Sequence, residues 1–191
     1  MHKKIVSAIL AICSILMFAG LSLAFEFSAD MVMTAESHKM AGKMFSKGER
    51  FRMEMNAQGQ HMITITRTDK KVVWNIMPEQ KMYMEMPFNP KDAPKTEIKG
   101  EVDRKLVGSE TIDGHPTQKY LITYKEGANT EKVYQWLATD INFPVKTADL
   151  NNKWVQEFKN VKIGSQADSL FEVPAGYMKM QMPSMPFNMM R

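Results

Sequence analysis

Apolar and polar residues alternate along most of the chain beyond residue 24. In Phe25–Met33 and in Arg50–Ala57, every second residue is apolar, and polar or charged residues fill most of the positions between. Lys81–Met86 and Tyr177–Met182 repeat this pattern with methionine at every second position. Strict alternation is typical of strands that bury one face and leave the other in water. The pattern therefore predicts antiparallel sheet.

Turn-forming residues separate these runs, for example at Gln58-Gly59, Asp113-Gly114 and Gly127-Ala128-Asn129. The best helical candidate is short, Ser165–Leu170, and Pro87–Lys95 is predicted to be a proline-rich loop. We therefore expect a mainly β fold with little helix, built as a single antiparallel sheet of about ten or eleven strands. Because so wide a sheet curls or closes, we expect a half-barrel around an apolar cavity.

The first 24 residues predict a secretory signal peptide. Lys3-Lys4 supplies positive charge, Ile5–Ala24 contains none, and Ser22-Leu23-Ala24 offers small residues for cleavage after Ala24. We therefore expect a periplasmic protein whose mature domain is 25–191, with a methionine-rich strand or tail at 178–191. An uncleaved membrane anchor is the alternative, because an apolar stretch of about 20 residues can span a bilayer.

Composition narrows the function classes. The chain has 191 residues, a net charge of +4 and one cysteine, which lies inside the predicted signal peptide. The mature domain therefore has no disulfide and no cysteine-based zinc site. Its charge is too small and too scattered to indicate nucleic-acid binding. The length indicates one domain, and we expect a monomer whose alternating acidic and basic residues form solvated polar faces.

Methionine is the unusual component, with 19 residues in the chain. Eleven of them lie between residues 31 and 86 and six between 178 and 190, with none from 87 to 177. Because a sheet can bring its last strand near its first ones, we predict that both sets line one apolar, ligand-binding surface. The predicted lining residues are Met31, Met33, Phe51, Met53, Met55, Trp74, Met82, Met84, Met86, Trp136, Met178, Met180 and Met182.

Several roles remain open for these methionines. They fill a core well, although β-branched residues suit strands better. Methionine is flexible and polarisable, so it also adapts to varied apolar ligands. Thioethers select Cu(I), and the alternative copper site comprises Met178, Met180, Met182 and Met185. Sacrificial oxidation to the sulfoxide is a further role.

Catalytic and cofactor motifs are absent from the sequence. It contains no H-E-x-x-H, no G-x-S-x-G and no phosphate-binding glycine motif. His115 follows Asp113-Gly114 and is predicted to lie at a turn. We therefore expect a protein that is not an enzyme and that needs no cofactor.

Five segments together resemble the LolA-like periplasmic proteins, which include the carrier LolA, the receptor LolB and the sensor-regulatory protein RseB. They are Ile63–Trp74, Pro78–Tyr83, Val107–Tyr120, Trp136–Lys146 and Ser169–Tyr177. The resemblance implies a half-barrel whose apolar cavity, in the carriers, holds acyl chains. It differs from the carriers at the start, where the carriers place a helix and this chain is strand-like.

The resemblance implies a non-enzymatic carrier or binding protein for a lipid, an acyl chain or a lipidated protein. The alternatives are a methionine-rich Cu(I)-binding protein and an RseB-like module with an envelope protein as its partner.

Overall fold

The structure is a computed structural model that describes residues 26–36, 38–57, 60–89 and 97–180. These residues form one open, curled sheet of twelve strands. The strands are β1 (Glu26–Ala35), β2 (His38–Lys47), β3 (Arg50–Ala57), β4 (Gln60–Arg67), β5 (Val72–Met77), β6 (Met82–Pro87), β7 (Glu101–Ile112), β8 (His115–Glu126), β9 (Asn129–Ala138), β10 (Phe143–Asp149), β11 (Trp154–Ile163) and β12 (Met178–Lys179). A 3-10 helix spans Asp168–Phe171, overlapping the predicted helical region.

The strand order is β12-β6-β5-β4-β3-β2-β1-β11-β10-β9-β8-β7. Two meanders, β1 to β6 and β7 to β11, are joined where β1 pairs with β11. All neighbours are antiparallel except β12, which runs parallel to β6. The predicted mainly β, curled single sheet is confirmed, with eleven long strands and a twelfth of only two residues. The predicted signal peptide and the tail beyond residue 180 lie outside the described residues.

Three aromatic rings show which way the sheet curls. The Phe27 ring on β1 lies 4.8 Å from the Phe143 ring on β10, although β11 separates these strands. Phe143 also lies 5.1 Å from Phe158 of β11. Strands two apart are about 10 Å apart, so side chains that meet above the strand between them lie on a concave surface. We call this surface the inner face and the opposite one the outer face.

Gly42 occupies a close approach between β2 and β3. A Cβ atom at this position would collide with the carbonyl oxygen of Glu54, far inside van der Waals contact. A strand glycine at such a point allows two backbones to come together where a sheet bends. Gly42 lies directly between Met31 and Met55 in the register, so the bend is in the centre of the β1–β3 region.

The outer face of β2–β6 is covered by the C-terminal segment, residues 164–177. Phe171 from this segment is fully buried against Ile63, Ile65, Trp74 and Ile76. Leu170, Val173 and Tyr177 pack around the same cluster. A chain segment that follows the last long strand therefore supplies the second layer of this half of the fold.

Two buried arginines attach the C-terminal segment to the sheet. Arg52 and Arg67 are 9% and 3% exposed, so the prediction of a solvated polar face is wrong on β3 and β4. Arg52 donates to the carbonyl oxygen of Leu170 at 2.9 Å, and Arg67 donates to that of Phe171 at 3.1 Å. Alternation predicts which residues share a face, but it does not show that a distant segment covers that face.

Within the described part of the chain, no helix is long and apolar enough to cross a membrane.

Candidate ligand-binding face

All eleven methionines between residues 31 and 86 lie on the inner face. Side chains of directly paired residues point to the same side of a sheet, so the register assigns each of them. The direct methionine pairs are Met33 with Met40, Met44 with Met53, Met55 with Met62, and Met77 with Met82. Met31 lies on the same side of β1 as Met33, and Met84 and Met86 lie on the same side of β6 as Met82.

Strand β12 extends this surface at the edge of the sheet. Met178 is directly paired with Met82, and its amide donates to the carbonyl oxygen of Lys81 at 2.9 Å. The amide of Met180 donates to the carbonyl oxygen of Tyr83 at 2.8 Å. Met178 and Met180 therefore continue the row begun by the earlier strands. We call the eleven earlier methionines together with these two the methionine face.

Burial changes along the methionine face. Near the centre of the sheet Met31, Met33 and Met44 are 0%, 1% and 3% exposed. Towards the β6 edge the side chains are half-buried, and the most exposed are Met62 at 49% and Met178 at 65%. The outer face of the same strands is covered by the C-terminal segment, so the partly exposed side of this half of the sheet is the methionine-lined one.

Ten of the thirteen predicted lining residues are brought onto this face. They are Met31, Met33, Phe51, Met53, Met55, Met82, Met84, Met86, Met178 and Met180. Phe51 belongs to it because it lies two residues before Met53 on β3. Met182, and Met185 of the alternative copper set, lie outside the described residues.

One predicted tryptophan, Trp74, lies on the outer face instead, and the other, Trp136, belongs to the buried core cluster that contains Met31 and Met44. Trp74 is paired with Ile65 beneath the C-terminal segment, and its indole donates to Glu85 at 2.9 Å. Trp136 is paired with Lys119 and Lys146, whose ammonium groups lie 4.6 and 5.1 Å from its ring. Aromatic character alone does not show on which side of a sheet a residue lies.

Beyond β1, the inner face carries polar side chains that sequence reasoning missed. Gln135 and Gln156 are 4% and 6% exposed. Arg104 of β7 donates to the side-chain oxygen of Gln135 at 3.0 Å, across β8. The side-chain amide of Gln156 donates to the Met31 sulfur, with the nitrogen and the sulfur 3.9 Å apart. These hydrogen-bonded polar groups form the boundary of the apolar part of the inner face. In the sequence, only their alternation with apolar residues points to this position.

Two close ion pairs lie near opposite ends of the sheet. Lys179 lies 2.6 Å from Glu85, and this contact together with the Trp74 indole lowers the pKa of the Glu85 carboxyl. At the far end of the sheet, His115 lies 2.7 Å from Asp140 and lowers the pKa of that carboxyl. Within the described residues, no group of three or more His, Cys, Asp or Glu side chains is placed to hold a metal ion.

A separate cavity of about 380 Å³ opens beside β1, β2 and β11. Its lining is mostly polar, and its β1 and β2 residues other than Ala29 alternate with those of the methionine face. The lining residues are Ser28, Ala29, Asp30, Lys43, Phe45, Asn160 and Lys162. Asn160 donates to Asp30 at 2.9 Å, so polar groups in this cavity already satisfy each other.

An open, curled sheet with an apolar inner face and a C-terminal segment on its outer face is a half-barrel fold. The family model described as "Domain of unknown function (DUF4412)" matches residues 25–142, and the chain belongs to this family. No curated protein matches the chain.

Solved structures share the fold at low sequence identity. An uncharacterized conserved protein from Thermus thermophilus is 13% identical, with a TM-score of 0.62 over 91% of this chain and 98% of that one. MucB in complex with MucA(peri) is 13% identical, with a TM-score of 0.51 over 79% of this chain and 55% of MucB. A LolA superfamily protein from Nitrosomonas europaea is 14% identical, with a TM-score of 0.35 over 87% of this chain and 96% of that one. The predicted LolA-like resemblance is confirmed at the level of the fold.

Proposed function

We propose that this protein is a non-enzymatic, periplasmic binding or carrier protein that holds an acyl chain, from a lipid or a lipidated protein, against the methionine face. The observation that carries the proposal is the placement of thirteen methionines on one side of the sheet, eleven from β1–β6 and two at its β12 edge. A contiguous apolar surface that stays partly exposed in a folded protein is typical of a binding site.

Methionine suits such a ligand for a physical reason. Its side chain is unbranched and polarisable, so a row of methionines adapts to a flexible apolar chain rather than to one rigid shape. Burial contributes about 0.8 kcal/mol per methylene. An acyl chain that buries about ten methylenes thus gains roughly 8 kcal/mol before the cost of lost rotation and translation is subtracted.

The test begins with the ligand that the protein carries after purification. The exported chain is isolated from the periplasm, and co-purified material is identified by mass spectrometry. We expect a lipid or fatty acid in stoichiometric amounts, and we expect the delipidated protein to bind a fluorescent fatty acid. Protein that is consistently empty and does not bind the probe would refute the proposal.

Variants locate the binding surface. Met55→Glu and Met84→Glu place a charge among half-buried side chains of the methionine face, and we expect each to weaken probe binding about tenfold or more. Leu150→Glu makes the same kind of change at a 42% exposed side chain outside this face and should leave binding unchanged. Equal losses in all three variants would indicate a general effect on folding, which the far-UV circular dichroism spectrum detects.

A protein partner is the second candidate, because the structure of MucB, which has a similar fold, contains MucA(peri). Pull-down from envelope extracts separates the two candidates. A partner retained by Met55→Glu would place protein binding away from the methionine face.

Amino-terminal sequencing of the periplasmic protein tests the predicted cleavage, which should leave Phe25 as the first residue.

A further inference from the structure

Three methionines from three adjacent strands lie in one row at the edge of the sheet. Met77 on β5 is directly paired with Met82 on β6, and Met82 is directly paired with Met178 on β12. Extending the β4–β5 register by one residue pair puts Met62 beside Met77. Met62 is in turn paired with Met55, so the three edge methionines are the outer end of a longer row.

The backbone and side chains of β12 fix the third methionine in this row. On either side of Lys179, the Met178 amide donates to the carbonyl oxygen of Lys81, in the turn before β6, at 2.9 Å. The Met180 amide donates to the carbonyl oxygen of Tyr83 in β6 at 2.8 Å. On the outer face, the Lys179 ammonium lies 2.6 Å from Glu85. Met178 is therefore held against Met82 although its side chain is 65% exposed.

Adjacent strands are about 4.8 Å apart, so the row spans about 10 Å from Met77 to Met178. Each methionine side chain has three rotatable bonds, and its sulfur can turn towards the central member of the row. Three sulfur atoms can thus approach one ion from two sides and from below, while the exposed side of Met178 leaves an entry path from solvent.

We propose that Met77, Met82 and Met178 form a binding site for a soft monovalent cation, Cu(I). Thioether sulfur prefers Cu(I) over hard ions, and neutral ligands leave the complex with a single positive charge at a partly solvated edge. Within the described residues, no cluster of His, Cys, Asp and Glu competes for divalent ions. The site differs from the sequence-predicted copper set, because Met77 and Met82 come from strands far from the tail in sequence.

The three proposed ligands also belong to the methionine face. Cu(I) binding is measured directly and without an acyl probe, so failure of the copper site is distinguishable from failure of the acyl-chain proposal. Leucine is close to methionine in volume and equally apolar, so the sheet and its apolar surface persist, but it has no sulfur. Met77→Leu, Met82→Leu and Met178→Leu should each weaken Cu(I) binding by more than about tenfold, the loss that even an outer partner of a metal ligand produces.

The full-length exported protein is titrated with Cu(I) in the absence of oxygen against a chromogenic Cu(I) chelator. In parallel, Ag(I) is added to protein labelled with ¹³C at the methionine methyl groups. We expect one equivalent of Cu(I), and Ag(I)-induced shifts of the Met77, Met82 and Met178 methyl resonances. Met53→Leu is the matched control on the same face, and it should bind Cu(I) as the unchanged protein does.

Two outcomes overturn the proposal. In the first, the three leucine substitutions at the proposed site change the Cu(I) affinity no more than Met53→Leu does. The other is loss of binding in a Met182→Leu/Met185→Leu double variant while the three single variants bind normally, because the ligands would then lie in the tail. Loss of Cu(I) binding together with an unchanged circular dichroism spectrum supports the site.

Discussion

Arg67 is one of the two buried arginines that attach the C-terminal segment to the sheet, and replacing it with alanine is expected to destabilise the protein. Its guanidinium donates to both carboxylate oxygens of Asp69, at 2.8 and 2.7 Å. It also donates to the carbonyl oxygen of Phe171 at 3.1 Å and to the Glu172 carboxylate. The side chain is 4% exposed, so water does not replace these contacts in the folded protein.

The magnitude follows from what the substitution leaves behind. A buried carbonyl group that loses its donor costs about 1–3 kcal/mol. Asp69 and Glu172 are 30% and 45% exposed, so water solvates them after the change and each lost ion pair adds about 1 kcal/mol or less. We therefore expect Arg67→Ala to lower the free energy of unfolding by about 2–4 kcal/mol.

Urea denaturation followed by tryptophan fluorescence measures this loss. With a slope of about 2 kcal/mol per molar urea, the midpoint should fall by about 1–2 M. Lys70→Ala is the matched control, because Lys70 contacts the same Glu172 at 3.0 Å but is 46% exposed. Its effect should stay within about 0.5 kcal/mol. Arg67→Lys keeps the charge but loses the bidentate contact with Asp69. Its loss in free energy of unfolding should lie between those of Lys70→Ala and Arg67→Ala.

A midpoint for Arg67→Ala that equals that of Lys70→Ala would refute this reasoning. The attachment of the C-terminal segment would then rest on the packing of Phe171 rather than on the guanidinium.

Three further predictions concern acid stability, the bend and the outer core. The Arg67 hydrogen bond lowers the pKa of the Asp69 carboxyl. The stability that this group contributes is therefore fully present above the unfolded pKa of about 4 and is lost as pH falls through the folded pKa. Asp69→Asn should flatten the fall in the urea midpoint below about pH 4. Gly42→Ala should cost about 1–3 kcal/mol or more, because its Cβ would collide with the Glu54 carbonyl oxygen; an unchanged thermal midpoint would contradict the bend. Phe171→Ala should cost about 3–5 kcal/mol in urea denaturation, since Phe171 is 0% exposed, and a cost below about 1 kcal/mol would show that the outer core is not closed by this side chain.

Local pattern in the sequence predicted the strands well. Alternation at Arg50–Ala57 predicts a strand with the bounds that β3 has in the structure. The alternating Met82, Met84 and Met86 likewise fall within β6. Such predictions succeed because period two is a property of neighbouring residues, and it is present before any long-range contact forms.

Long-range cover was not predictable in the same way. Trp74 and Arg67 lie on the side that the C-terminal segment covers, and the contact between Arg67 and Phe171 joins residues 104 positions apart. Nothing in the alternation of β4 or β5 shows which of two faces a distant segment will choose. The prediction of a solvated polar face was therefore wrong for Arg52 and Arg67.

The methionines show where sequence and tertiary structure divide. The sequence by itself determined that they occupy alternate positions, odd-numbered in β1, β3 and β5 and even-numbered in β2, β4 and β6. Only the tertiary structure decided that these two sets point the same way, because each hairpin register pairs an odd position with an even one, as in Met44 with Met53. A slip of one residue in any register would send that strand's methionines to the opposite face. Register depends on turns and on packing across the whole sheet, and these contacts unite the methionines on one surface.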